Sequence, residues 1–214
     1  MKKIIEDFIY DLEQKLSEPL PGEAAQLKLE PPTRRNYNLD PVSANAKLSS
    51  VLILFFPENG KIKLTLIQRP EYDGVHSGQI AFPGGKMEDS DKSLMETALR
   101  ETFEEIGVLP ETIKIIGKLS QLYIPPSNFL VEPFVGFVYK MPDFKAEPAE
   151  VSEIVIVDLD DLLNESSFQF KEINTRGFNK EVPCYFVNKK IIWGATSMII
   201  SELLEVIKQK QPEK

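Results

Sequence analysis

One stretch, Asp91 to Val108, restricts the fold more than any other. At about 100° per residue, Leu94, Met95, Ala98, Leu99, Phe103 and Ile106 fall on one half of a helical wheel. The spacing predicts an amphipathic helix over Asp91–Ile106, with Gly107 placed to end it. On the same wheel Glu101, Glu104 and Glu105 share an arc roughly 100° wide. Carboxylates at i, i+3 and i+4 repel one another, and these sit where the helix dipole disfavours anions. Such a cluster either forms a solvated face or holds a cation, and hard divalent ions take oxygen ligands of this kind. Two neighbours favour the cation. The Phe82-Pro83-Gly84-Gly85 turn lets backbone approach a ligand closely, and Arg100 is able to orient a carboxylate or hold a phosphate.

The remaining elements follow from periodicity. Ile4 to Leu16 has helical spacing, and the proline-rich span Ser17 to Val42 reads as an irregular connector. Ser50 to Phe56 is apolar on both faces, as a central strand is. Asn59-Gly60 is a hairpin signal, and Lys61 to Ile67 should pair back. Further strands are expected at Gln79–Phe82, Ile113–Leu122, Leu130–Tyr139, Val151–Val157, Phe168–Phe170 and Val182–Val187. A short acidic helix is expected around Asp158–Leu163, and Trp193 to Lys208 closes the chain as a helix. Strands with inserted and terminal helices make the fold class α+β.

Composition narrows the chemistry. Thirty-three acids against 25 bases give a net charge of −8, opposite in sign to a general nucleic-acid coat. A small anionic substrate then needs local lysine, arginine or a carboxylate-held metal. A single histidine, His76, and a single cysteine, Cys184, exclude intrachain disulfides, multi-histidine metal sites and cysteine-built zinc sites. The longest apolar run, Val51 to Phe56, is too short to cross a bilayer. Glu6, Asp7, Asp11 and Glu13 interrupt anything resembling a signal peptide, and the last residues do not read Ser-Lys-Leu. A cytoplasmic enzyme with no membrane partner is the expectation; a homodimer is compatible with these features.

The segment Gly85 to Val108 resembles the Nudix box, Gly-x5-Glu-x7-Arg-Glu-U-x-Glu-Glu-x-Gly-U, where U is bulky and apolar. Arg100, Glu101, Glu104, Glu105, Gly107 and Val108 match in order. Thr102 stands where an apolar residue is usual, Asp91 replaces the early glutamate, and the gap to Arg100 is one residue longer. The longer gap is a feature of the coenzyme A diphosphatase branch. The resemblance implies a Nudix fold, a mixed sheet between helices, in a domain spanning 43–214 after an N-terminal helix and connector at 1–42. It also implies that Glu101, Glu104 and Glu105 bind Mg2+ or Mn2+, joined by a carbonyl at Gly84 or Gly85. A diphosphate linked to another moiety is then hydrolysed, with Glu101 or Glu104 as base and Arg100 orienting Glu101.

That branch carries a second signature, Leu-Leu-(Thr/Glu)-x-Arg-(Ser/Ala)-x3-Arg-x3-Gly-x3-(Phe/Met)-Pro-Gly-Gly. The chain keeps Leu66, Arg69, Gly78 and Phe82 to Gly85, but has Thr65, Ile67, Pro70 and Gly74 at the other fixed positions. Pro125-Pro126-Ser127, Glu150-Val151 and Ile192 to Thr196 also resemble the branch. The expected substrate is coenzyme A or a derivative, cleaved to 4′-phosphopantetheine and adenosine 3′,5′-bisphosphate. Other nucleoside diphosphate derivatives, and a non-catalytic nucleotide sensor, are the alternatives. Arg69, Lys86 and Gly84 are the candidate substrate contacts. Glu150 is a candidate ligand or base from a loop. His76, Trp193 and Cys184 read as structural.

Overall fold

In the computed structural model the described residues are 2–37, 40, 45–74, 76–175 and 178–209. The boundary expected at 42/43 and the tail residues 210–214 lie outside them.

The two-faced apolar run forms the long strand β1 (Lys47–Glu58) at the centre of an eight-stranded mixed sheet. β2 (Lys61–Gln68) returns through the Asn59-Gly60 turn, both residues at positive φ, and pairs antiparallel with Leu54 to Glu58. β7 (Phe129–Phe137) runs parallel to β1 along its other edge. β8 (Glu153–Asp158) pairs with the far edge of β2. Towards the site β1 and β2 part, and two short strands fill the gap. β3 (Ile80–Ala81) pairs with β2, and β4 (Gly84–Lys86) pairs with β1. The turn at Phe82-Pro83 is therefore wedged between the two central strands.

Helices cover both faces. Ile53 and Phe55 of β1 pack with α1 (Lys2–Ser17) and α5 (Ala195–Lys208), through Leu12, Leu16, Met198 and Leu203. Leu52, Leu54 and Phe56 pack on the opposite face with α3 (Leu94–Ile106), through Ala98 and Ile106. This alternation explains the unbroken apolar run.

The expected strand over Ile113–Leu122 is split into β5 (Lys114–Lys118) and β6 (Leu122–Ile124), both paired with β7. Between them the N–H of Ser120 turns to the carboxylate of Glu202 on α5. The expected irregular connector holds α2 (Glu23–Gln26) and 3-10 turns at Leu27–Leu29 and Pro32–Asn36. Its Gln26 amide also donates to Glu202, at 2.8 Å, and so does the Gly22 N–H, at 3.2 Å. Beyond β8 come α4 (Leu159–Leu163) and a separate antiparallel sheet of β9 (Phe168–Thr175), β10 (Phe178–Val187) and β11 (Lys190–Trp193). β9 and β10 are longer than their apolar cores suggest, because the hairpin continues through polar residues, where Asn174 Nδ2 donates to Asn179 Oδ1 at 2.8 Å. β11 carries too few residues to register as a strand by pattern.

Candidate active site

α3 begins three residues later than the wheel suggests. Ser93 is its N-cap and accepts from Glu96 N, and Gly107 ends it in the left-handed conformation. Its buried side is also rotated. Met95 and Phe103 are exposed, whereas Thr97, Ala98, Thr102, Glu105 and Ile106 are buried. The hydroxyl of Thr102 donates to the Ala98 carbonyl at 2.6 Å, which lets it replace the usual apolar residue. One edge of the acidic arc thus faces inward, towards β4.

Asp91, outside the helix, anchors this arrangement. Arg100 Nε and Nη2 each donate to one of its carboxylate oxygens at 2.9 Å. Thr97 Oγ1 and Glu88 N donate to the same carboxylate. Arg100 foremost, with these two donors, holds Asp91 well below the usual carboxylate range. Arg100 Nη1 reaches Glu101 and Glu104, both at 2.9 Å, and Nη2 reaches the Lys86 carbonyl at 3.2 Å. All of its reach is spent on α3, Asp91 and the end of β4, which suits orienting Glu101 rather than binding substrate.

The three box glutamates are not equivalent. Glu101 and Glu105 converge with Glu150, one carboxylate oxygen of each lying within 4.8 Å of the others. Glu104 is outside this group, half exposed and paired with Arg100. Glu105 is 2% exposed and accepts from Gly84 N at 2.9 Å. Burial pushes its pKa up to about 8, and burial also raises that of Glu101 against the pull of Arg100. Glu150 arrives on a loop tied to the C-terminal end of α3 by Lys145 N to Ile106 O and Glu147 N to Glu105 O, both 2.9 Å.

The two glycine carbonyls of β4 point in opposite directions. Leu52 N donates to Pro83 O at 2.9 Å, and Met87 N donates to Leu48 O at 3.0 Å. Bonded pairs alternate along an antiparallel ladder, so Ser50 opposite Gly85 is the bonded pair between them. The Gly85 carbonyl is therefore turned into the sheet, where it also accepts from Ser49 Oγ at 2.6 Å. The Gly84 carbonyl is turned outward, on the same side as the Gly84 N–H that meets Glu105. The family resemblance implied a metal-binding carbonyl at Gly84 or Gly85; the ladder occupies that of Gly85 and leaves that of Gly84 on the side of the acids. A Cβ on Gly84 would strike the backbone of Ser50 and Val51, and one on Gly85 would strike the Glu101 carboxylate.

These groups open on a cleft of about 410 Å3. Arg69, His76, Gln79 and Lys86 line it beside Glu101, Glu105 and Glu150, and Ile124, Phe129 and Thr196 supply a further wall. Among the described residues the buried Nε of Arg69 has no hydrogen-bond partner. His76 sits at φ 68 and its Nδ1 meets Gln79 Oε1 at 2.9 Å; burial lowers its pKa. A larger groove of about 860 Å3 runs past Phe103 and Tyr139, but it touches none of the three converging acids. The sequence marks Gln79 only as the start of a strand and Thr196 only as part of a branch-like stretch, and it does not single out Ser49 as a site residue.

Hard oxygen donors crowded around one buried carboxylate suit a divalent cation of the Mg2+ type. Fold and donor set together describe the metal-assisted hydrolases of diphosphates. The NUDIX domain family matches residues 46–176, and the chain belongs to that family. It is a hydrolase acting on pyrophosphate bonds. The chain is 34% identical to the uncharacterized Nudix hydrolase NudL of Photorhabdus laumondii, over 85% of this chain and 93% of the relative. It is 35% identical to that of Yersinia enterocolitica, over 77% and 84%. Among solved structures, the MutT protein of Methanosarcina mazei is similar at 20% identity and a TM-score of 0.49, over 77% of this chain and 96% of that one. Among the described residues no helix is long and apolar enough to cross a membrane.

Proposed function

We propose that the chain hydrolyses the diphosphate of coenzyme A or a derivative, in the cytoplasm, with Mg2+ or Mn2+. The observation that carries this reading is the cleft itself. Of the residues kept from the second signature, Arg69, Phe82, Gly84 and Gly85 meet the Nudix-box acids Glu101 and Glu105 around one cavity.

Glu101, Glu105, Glu150 and the Gly84 carbonyl are the oxygen donors for the cation. When bound, it neutralises the bridging phosphates and lowers the pKa of a water. Glu101 or Glu150, both in the converging group, takes the proton of the attacking water, while Glu104 lies outside that group. Arg100 keeps Glu101 aimed, and Asp91 keeps Arg100 in place. Arg69, with its unpaired buried Nε, and Lys86 at the rim receive substrate phosphate.

Gly74, where the branch signature has arginine, favours the second reading, another nucleoside diphosphate derivative lacking a 3′-phosphate. Incubating the protein with coenzyme A, dephospho-coenzyme A, ADP-ribose and a dinucleotide, each with Mg2+ and with Mn2+, decides between them. Release of adenosine 3′,5′-bisphosphate from coenzyme A at the highest kcat/KM supports the first reading. No turnover of coenzyme A beside turnover of ADP-ribose supports the second.

A further inference from the structure

β1 is apolar through its middle, yet Ser49 and Ser50 at its head are 5% and 0% exposed. A buried hydroxyl costs stability unless it is bonded, so both serines need acceptors. Their side chains leave opposite faces of the strand. Ser50 Oγ donates to the Glu132 carbonyl of β7 at 2.9 Å, a bond inside the sheet. Ser49 lines the cleft, and its Oγ donates to the Gly85 carbonyl at 2.6 Å.

The Ser49 bond lands on the strand that most needs holding. β4 has three residues, and two are glycines, which have the widest backbone freedom. The Glu101 carboxylate lies directly over Gly85, so no side chain at 85 can brace the strand from that side. The ladder N–H of Ser50 and the hydroxyl of Ser49 together occupy both lone pairs of the Gly85 carbonyl. With that carbonyl fixed on β1 and the Gly85 N–H also facing β1, the shared peptide plane leaves the Gly84 carbonyl directed at the acids of α3.

We propose that Ser49 is a positioning residue of the active site. By pinning the Gly85 carbonyl to β1, it presents the Gly84 carbonyl and N–H to the Glu101–Glu105–Glu150 group that receives the divalent cation. This inference rests on the metal-dependent reading above.

The test measures Mn2+ binding to the full chain by loss of the free-ion electron paramagnetic resonance signal, beside steady-state kinetics and thermal melting. Ser49→Ala should bind Mn2+ about three- to tenfold more weakly, the span of one ordinary hydrogen bond. Its kcat should fall with KM nearly unchanged, and its Tm should stay near that of the wild type. Ser49→Thr, which keeps the hydroxyl, should restore both affinity and kcat. Ser49→Cys, close in size but a weak donor, gives the same comparison where the alanine variant is too unstable to assay. Wild-type Mn2+ affinity in the variants lacking the hydroxyl, or a loss that threonine does not restore, would overturn the role of Ser49. Glu105→Gln separates the two levels. If it loses Mn2+ while Ser49→Ala keeps it, this inference alone falls. If Glu105→Gln binds Mn2+ as the wild type does, the metal reading falls and takes this one with it.

Discussion

Arg100 grips Asp91 with two parallel hydrogen bonds of 2.9 Å, one to each carboxylate oxygen, across the loop that leads into α3. The carboxylate is buried and held below its ordinary range. Asp91 therefore contributes stability that is fully present above about pH 4, its range in an unfolded chain, and is lost as pH falls through the lower folded value. Asp91→Asn should cost roughly 3 kcal/mol at pH 7, because Arg100 keeps its charge and loses its main partner. Urea unfolding from pH 7 down to pH 2 should show a flatter acid limb in the variant. An unchanged limb would assign the acid sensitivity elsewhere.

Glu105 is the most buried of the box glutamates; its carboxylate accepts from Gly84 N, and among the described residues it has no ion pair, Arg69 acting on it only from a distance. A divalent cation should therefore stabilise the fold by mass action, by about 2.7 kcal/mol at a hundred times its dissociation constant. Glu105→Gln should keep the bond from Gly84, melt no lower than the metal-free wild type at pH 7, and show no upward shift with Mn2+. Its turnover should fall by several orders of magnitude. Melting curves with and without Mn2+ read both effects, and a full Mn2+ shift in the variant would remove Glu105 from the metal site.

The two glycines of β4 should fail in different ways. At Gly84, with φ 149, an added Cβ meets backbone on β1 that cannot move aside. At Gly85 it meets only the far end of the Glu101 side chain. Gly84→Ala should lower Tm by several degrees. Gly85→Ala should melt near the wild type while losing Mn2+ affinity and turnover. Equal Tm values, or equal activities, for the two variants would contradict the geometry.

Arg69 lines the cleft beside Glu101, Glu105 and Glu150, its buried Nε without a hydrogen-bond partner among the described residues. In a coenzyme A hydrolase with Gly74 at the branch arginine, Arg69 carries the 3′-phosphate contact. Arg69→Ala should then lower kcat/KM for coenzyme A roughly ten- to a hundredfold more than for dephospho-coenzyme A. Equal losses on both substrates would place Arg69 at the diphosphate or in the structure alone.

Much of this was legible in the chain because periodicity reports burial. The two-faced run of β1 and the Asn59-Gly60 turn appear where expected, and the helix end at Gly107 does too. The Nudix box placed the acids on one helix. What it left out are relations between distant residues. Nothing in the spacing of Glu101, Glu104 and Glu105 says that Arg100 takes Glu104 while the 147–150 loop delivers Glu150. The wheel put Glu105 on a polar edge, but packing of α3 against β4 rotates that edge inward. The choice between the Gly84 and Gly85 carbonyls depends on the hydrogen-bonding parity of a three-residue strand, which has no compositional trace. The proline-rich connector read as irregular because its order comes from Glu202, some 180 residues away.

That buried carboxylate has a consequence for how the molecule is made. Glu202 lies in the last helix, yet it collects Gly22, Gln26 and Ser120. The apolar side of α1 waits for the same helix, since Leu12 and Leu16 share their core with Leu203. During synthesis the first turns emerge well before their partner exists, at about 5–20 residues per second. The nascent chain thus carries an uncovered apolar helix face, with the Gly22, Gln26 and Ser120 N–H groups left to water, until α5 has been made. Closure is then an event of high sequence separation, which is slow by nature. The domain starts open and is sealed when α5 docks against α1.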